Sequence, residues 1–561
     1  TRVNGQLFQH SFHGKMSAET RSIAIYPPFA SKVTPNYVIE VDNLNGLDGK
    51  PPLEFYDCEG KRLEADNSYL PKTESQGNST RTVSRVYKLK HSGQFPSFIR
   101  IGPDEANLGL LQITEKKKEP GNRAMIVGID FGSSHTIVAC RCTDEKEVEY
   151  MTFDNSSPLT ICDNDTVAPL LYDFIPDGLR VDPPESKTEY DSNLKCWLPF
   201  RTLWSHFAEE GDFLQKGIIP LSYTPEQTGL GLGIGIKNRK IIADLKWTTR
   251  TVYRNGFLDH LIMMILIEAE AKGARSVEIR WSYPNAFSDN ESKLMRNFYN
   301  DLMRNKYGST REEWSVSFPD TACSEAYNSL EYFIQCSQLT LAKLAVTVDI
   351  GGRTSDIAFV EDKRIKWEDS VEFGGGVLAE NSQVVAEYVH KRKAESGDFS
   401  TRDYDEVLRT WPLVHPSWGG KIDDFTNWET NPGIIKYYEK IGLFYGGLFY
   451  YLGLHLRRFK NSENGPLPPL KHVALGGNGI LFLRYITGGS EINERSLGRG
   501  WAKLLKKMLA AGHGIPYSNY ENTDLLLAPH PKREVASGMV MLQEPRPQDT
   551  NVTRLFGLPV K

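Results

Sequence analysis

The chain has 561 residues, of which 24% are charged and 40% hydrophobic, with a net charge of −5 and a pI near 6.2. That length exceeds what one apolar core serves, so roughly two to four domains are expected. The acidic balance, with no basic run beyond Lys116–Lys118 and Arg457–Arg458, excludes a nucleic-acid footprint, and seven cysteines without regular spacing fit reduced thiols in a reducing, cytoplasmic compartment rather than a disulfide framework.

Thr1–Arg21 is largely polar and offers no signal-peptide core, and the start on threonine suggests a trimmed N-terminus. Short β-rich runs follow at Ser22–Tyr26, Tyr37–Val41, Leu53–Tyr56, Thr82–Leu89, Ser97–Ile101 and Leu110–Thr114, separated by Gly, Pro and Asn. They predict a small antiparallel sandwich or barrel over residues 1–119. It carries no nameable chemistry, so a docking or regulatory role toward a protein partner is expected, with a structural role as the alternative. Asn78-Ser-Thr80 reads as an accidental sequon, and Lys-rich Glu115–Asn122, with Pro120 and Gly121, as a linker.

Met125–Ile129 is a short β-branched run that predicts a buried strand reaching Asp130. Gly132, Ser133 and Ser134 follow, and Thr136–Ala139 closes a hairpin. The same device recurs at Ala345–Val348, with Asp349, then Gly351, Gly352, Thr354 and Asp356, and a closing strand Ile357–Val360. Glycines there permit close backbone approach, so successive N–H groups can converge on phosphate oxygens while the hydroxyls donate as well. Either segment alone also reads as an ordinary hairpin turn. A third strand runs into glycines at His472–Gly479, offering Gly476, Gly477 and Asn478. Cys140-Arg-Cys142 lacks a matching second pair and reads as strand residues rather than zinc ligands.

Helices are predicted near Leu258–Lys272, Asn290–Asn305, Glu325–Leu339, Val377–His390 and Gly433–Arg457, the first with a core-facing stripe from Leu258 to Ala269. Ile441–Leu456, interrupted by Gly446 and Gly447, is short for a bilayer span and reads as a buried helix. Trp411, Trp418 and Trp428 lie in a polar segment and read as buried anchors.

Taken in order, the turns and the helix between them resemble the actin-like ATPase superfamily, which joins actin, heat-shock chaperone ATPases and sugar kinases. Several stretches are similar to the DnaK-type chaperone branch: Val277–Phe287, Ser324-Glu325-Ala326, Phe373–Gly376, Asp163–Tyr172, and Pro529–Gly538 beside that family's Pro-Asp-Glu-Ala-Val-Ala-x-Gly helix. The resemblance implies an α/β, two-lobed actin-like ATPase fold of duplicated ribonuclease H-like units, with lobes at 120–345 and 346–545 and a coil at 546–561. It departs at Arg353, where the family has glycine, at Ile480, where the family has an arginine near the base, and at the catalytic lysine, for which Lys195 is the nearest candidate.

The resemblance implies ATP or ADP cradled by Gly132, Ser133, Ser134, Gly351, Gly352 and Thr354, with Gly476, Gly477 and Asn478 along the adenosine. It further implies hydrated Mg2+ held through water by Asp130 and Asp349, and in-line attack of water assisted by Glu325, Asp356 and Asp130. A chaperone-like ATPase switch on a protein partner is the expected function. The alternatives are an actin-like filament former, a small-molecule kinase using Asp320, and an inactive nucleotide binder. With only a short coil after the last helix, partner binding is expected to fall to the N-terminal module or to a portion beyond this sequence.

Overall fold

The structure is a computed structural model. It describes residues 2–3, 6–7, 22–33, 36–42, 53–70, 84–90, 94–101, 109–153, 155–156, 159–162, 200–202, 204–207, 239–242, 244–249, 251–307, 314–319, 322–336, 339, 344–361, 364–379, 432–462, 468–483, 498–542 and 553–554. Lys195, Asp320, Asn78, the three tryptophans of the polar segment and most of Val377–His390 lie outside these residues.

The N-terminal strands fall at Ser22–Tyr26, Asn36–Asp42, Glu54–Tyr56, Ser84–Lys90, Phe98–Ile101 and Gly109–Gln112, with Arg62–Leu63 and Ala65–Leu70 in addition. They form two antiparallel sheets whose facing side chains, among them Ile25, Tyr37, Ile39, Phe55, Leu89 and Ile99, share one apolar cluster. Leu159–Cys162, inside the span expected for the first lobe, pairs with Ser22–Tyr26 and buries Leu159 in that cluster.

The remaining chain is mixed α/β. One sheet contains β1 (Arg123–Phe131), β2 (His135–Cys142), β3 (Glu149–Tyr150), β4 (Ala274–Tyr283) and β5 (Ser315–Ser317), in the order β3-β2-β1-β4-β5. Another contains β6 (Leu344–Ile350), β7 (Ser355–Glu361), β8 (Arg364–Val371), β9 (Leu470–Gly476) and β10 (Asp524–Leu527), in the order β8-β7-β6-β9-β10. The two orders are the same order. In each, the first strand is antiparallel to the second and parallel to the fourth. Every residue of β6 is buried, so its sequence is continuous rather than alternating, as befits a strand covered on both faces.

Parallel neighbours need crossovers, supplied by α1 (Thr251–Ala271) before β4, α2 (Asp289–Leu302) before β5, α4 (Pro432–Ser462) before β9 and α5 (Gly498–His513) before β10. Helix α2 continues into a wide turn at Met303–Tyr307, and α5 and β8 have no counterpart in the sequence expectation. No helix among the described residues is long and apolar enough to cross a membrane.

Two further helices, α3 (Glu325–Gln335) and α6 (Glu534–Met541), pack on each other, with α3 against β6 and β7 and α6 against β1 and β2. Glycine makes the approach possible. A β-carbon on Gly538 would overlap the Asn328 carbonyl, and one on Gly128 would lie 2.6 Å from the Ala536 oxygen. Arg280 on β4 donates to the carbonyls of Met539 and Leu542, each at 2.7 Å, and so closes the end of α6.

The N-terminal sheets are tied to α1 by two buried carboxylates. Glu270 accepts from Ser31 Oγ at 2.7 Å, Lys32 N at 3.0 Å and Lys118 Nζ at 3.1 Å, while Glu268 accepts from Asn155 Nδ2 and Ser156 N at 2.8 Å.

Gly538→Ala is expected to destabilise the fold by about 1–3 kcal/mol, the usual cost of overpacking, read as a lower urea midpoint at unchanged slope. An unchanged midpoint would show that α3 and α6 do not meet at this glycine.

Candidate functional site

Both hairpins turn in the same way. Gly132 N–H donates to the His135 carbonyl at 3.1 Å, and Gly351 N–H donates to the Thr354 carbonyl at 2.8 Å. The two turns also touch: a β-carbon on Gly352 would lie 2.8 Å from Ser133 Oγ and 3.1 Å from Ser134 Oγ. Gly375 and Gly376 N–H brace the second turn through the carbonyls of Gly351 and Gly352, at 2.8 and 2.6 Å. The third turn joins them. Gly477 has φ 78°, and a β-carbon there would overlap Asp349 Oδ1 and the Ile350 carbonyl, a position only glycine fills, while Gly476 faces Glu534.

Five carboxylates are buried around these turns: Asp130, Glu325, Asp349, Asp356 and Glu534. Two ammonium groups accompany them. Lys532 Nζ donates to Asp130 Oδ2 at 2.5 Å, and Lys246 Nζ donates to Glu325 Oε1 at 2.5 Å. Asp349 and Asp356 are direct cross-strand partners in the β6–β7 register, a like-charge pairing that disfavours double ionisation.

Burial, reinforced by the charges of Asp130, Glu325 and Asp356, pushes Asp349 up to about 8 against the pull of Lys532. Burial and Glu325 push Asp356 up to about 7, although Thr354 Oγ1 donates to it at 3.1 Å. Glu534 is pushed up to about 8 by burial and by Asp349, and Glu325 is raised by burial against the opposing Lys246. Burial alone would lower Lys532, but Asp130, Asp349 and Glu325 together hold it above its ordinary value, so it stays an ammonium.

The structure therefore gathers the residues singled out by sequence: Asp130, Gly132, Ser133, Ser134, Glu325, Asp349, Gly351, Gly352, Thr354, Asp356, Gly476, Gly477 and Asn478. Ser324 caps α3 by accepting from Tyr327 N at 3.1 Å, which fixes Glu325 at the helix head. Asn478 Nδ2 and Asp130 Oδ1 are buried without a hydrogen-bond partner among the described residues, leaving a donor and an acceptor open for a ligand.

Sequence reasoning missed Lys532, Lys246 and Glu534. Lys532 and Glu534 stand in the Pro529–Gly538 segment, where alignment back from Gly538 sets Lys532 at the family motif's aspartate, and that charge reversal was the available signal. Lys246 sits in the irregular turn 244–249 and has no local motif. Arg353 is 45% exposed, pairs with Asp244 at 3.2 Å and lies 5.0 Å above the Trp247 ring. Ile480 is fully buried in the apolar cluster of the second sheet, which explains a hydrophobic residue there.

A divalent cation at Asp130 would meet a buried ammonium already bonded to Oδ2, and no three of Asp130, Asp349, Glu325 and Asp356 bring ligand atoms within 4.8 Å of one another. Among the described residues, the one set of three ligand types within 4.8 Å is Cys142, Asp144 and Glu145, at the opposite end of β2 from the turns.

No protein-family model matches the sequence, and no curated protein matches it. Among solved structures, MreB5 of Spiroplasma citri bound to ADP is 10% identical with a TM-score of 0.30, over 71% of this chain and 96% of that one. The same protein bound to AMPPNP is 11% identical with a TM-score of 0.31, over 74% and 94%. The ethanolamine utilization protein EutJ from Carboxydothermus hydrogenoformans is 10% identical with a TM-score of 0.30, over 76% and 92%. Scores this low carry no argument. The site rests on its own geometry.

The raised carboxylates predict a pH dependence. Between about pH 4 and about pH 8 the folded protein binds protons that the unfolded chain releases, so stability falls as pH rises across that window. The thermal midpoint of the ligand-free protein should drop steadily from pH 5 to pH 8, and Asp349→Asn should flatten the slope in scanning calorimetry. A midpoint that rises over this range would contradict the burial of these groups.

Proposed function

We propose that the chain is an actin-like ATPase that binds a nucleoside triphosphate between the first two turns and hydrolyses it. The observation that carries this reading is the contact of Gly352 with Ser133 and Ser134. It sets two nests of backbone N–H groups and hydroxyls face to face, an arrangement suited to an anion gripped from both sides. The repeated strand order supports it, because it brings the ends of β1 and β6 and the third turn to one place.

In this reading the N–H groups of the two turns and the hydroxyls of Ser133, Ser134 and Thr354 cradle the phosphates. Gly476, Gly477 and Asn478 lie along the nucleoside, with the free Asn478 amide as a donor. Asp356, titrating near neutral pH and hydrogen-bonded to Asn285 N at 3.2 Å, accepts a proton from the attacking water. Glu325, held at Oε1 by Lys246, orients that water with its other oxygen. Charge on the transferred phosphoryl group is offset by fixed dipoles and ammonium groups in a water-poor crevice. The resemblance assigns Mg2+ to Asp130 and Asp349, but Asp130 Oδ2 is bonded to Lys532.

As the output we favour a chaperone-like switch acting on a protein partner through the N-terminal sheets. The Glu268 and Glu270 bonds join those sheets rigidly to α1, which packs on β4 beside the site.

Calorimetry with ATP and ADP tests the binding claim: the wild-type chain binds, and Gly352→Val, whose side chain enters the space of Ser133, does not, while circular dichroism reports an unchanged fold. Glu325→Gln should keep binding and lose hydrolysis by about 10²-fold or more, the usual contribution of a positioned acid or base. Unmodified turnover in Glu325→Gln would refute its assignment.

A further inference from the structure

Lys532 is anchored as few lysines are. Its backbone has φ 77°, a region that side chains other than glycine rarely adopt and that persists where neighbouring structure imposes it. The segment is pinned on both sides. Arg533 lies 4.4 Å above the Tyr150 ring, Tyr150 and Ser537 share a 2.8 Å hydroxyl bond, and α6 is locked against β1 at Gly128. The side chain is 9% exposed and ends 2.5 Å from Asp130 Oδ2. Its ammonium also borders the first turn, since a β-carbon on Gly132 would lie 2.9 Å from Nζ. Asp349 and Glu325 also act on it electrostatically.

We propose that Lys532 is a tethered cation: its ammonium takes the place at Asp130 that a divalent metal would fill, and meets the nucleotide phosphates itself, so that nucleotide binding requires no divalent ion. This rests on the proposed nucleotide site. A buried ammonium 2.5 Å from Asp130 repels a divalent ion approaching the same carboxylate, and it occupies one of the two carboxylate oxygens. Its three donors can serve Asp130 and a phosphate oxygen together. The position beside Gly132 puts the free donors toward the turn where the phosphates are expected. A lysine present only to neutralise Asp130 would need neither the strained backbone nor the contact with Gly132.

The experiment has two arms, each on the full chain, with Lys532→Gln removing the charge at similar length and Lys532→Arg keeping it. In the first, ATP binding is measured by calorimetry in Mg2+ and in EDTA. Wild type and Lys532→Arg should bind with affinities differing less than about threefold between buffers, whereas Lys532→Gln should weaken about tenfold or more in EDTA and recover in Mg2+. A wild-type affinity that collapses in EDTA overturns the inference.

In the second arm, Mn2+ is titrated into nucleotide-free protein and followed by electron paramagnetic resonance. Wild type should bind no Mn2+ at this site. Lys532→Gln should gain one site that Lys532→Gln with Asp130→Asn loses again. Mn2+ binding by wild type that Asp130→Asn abolishes overturns the inference. Should ATP bind in neither buffer, the nucleotide reading fails by itself, and the Mn2+ arm still decides whether Lys532 holds the cation position.

Discussion

Among the described residues, the carboxylates of Asp130, Glu325, Asp349, Asp356 and Glu534 are buried around the turns with only the ammonium groups of Lys532 and Lys246 beside them, and that imbalance governs the region. Water cannot screen these charges, so each carboxylate must be paired, protonated or neutralised by a ligand. Asp130 and Glu325 are paired, with Lys532 and Lys246. Asp349, Asp356 and Glu534 have no such partner among the described residues and shift upward instead, to about 8, 7 and 8. Two buried polar atoms beside them, Asp130 Oδ1 and Asn478 Nδ2, have no hydrogen-bond partner among the described residues.

The backbone explains why the charges meet. In both sheets the first strand pairs antiparallel with the second through a glycine turn, and parallel with the fourth, so the carboxylate near the end of the first strand always lies beside a turn. The repeats differ where chemistry is asymmetric. The residue opposite Asp130 in register is Ile137, whereas the residue opposite Asp349 is Asp356. One hairpin thus contributes a single carboxylate bound to a lysine, and the other contributes a pair, of which one titrates near neutrality.

Much of this was legible in the sequence, for identifiable reasons. Strands β1 and β6 announce themselves because burial on both faces demands a continuous apolar run, and the glycines after them mark turns whose contacts leave no room for a β-carbon. The long helices were readable from apolar spacing, yet their ends moved: α3 stops at Gln335, and α4 runs on to Ser462. Strand β8 was missed because Lys366, Glu368, Asp369 and Ser370 interrupt it, and two of these polar groups are buried for tertiary reasons. The lysines were harder to read. Lys246 reaches Glu325 from an irregular turn where neither periodicity nor a motif assigns direction, while Lys532 stands in the Pro529–Gly538 segment, whose charge reversal marks the position but not its partner Asp130.

The polar groups on β8 bear on how the two sheets are joined. Glu368, 3% exposed, accepts from Ser324 Oγ at 2.7 Å and from Asn285 Nδ2 at 2.9 Å. Ser324 caps the helix carrying Glu325, while the backbone N–H of Asn285 donates to Asp356 at 3.2 Å. One carboxylate from the second sheet therefore holds both the helix head of one catalytic candidate and the loop that touches the other. Buried charge-assisted bonds of this kind have few alternative geometries, because an unmade one leaves a desolvated group. Apolar contacts between sheets could slide, but these bonds either hold or break. In the proposed reading, a nucleotide between the two turns would act on a junction with discrete positions, as a switch requires of its hinge.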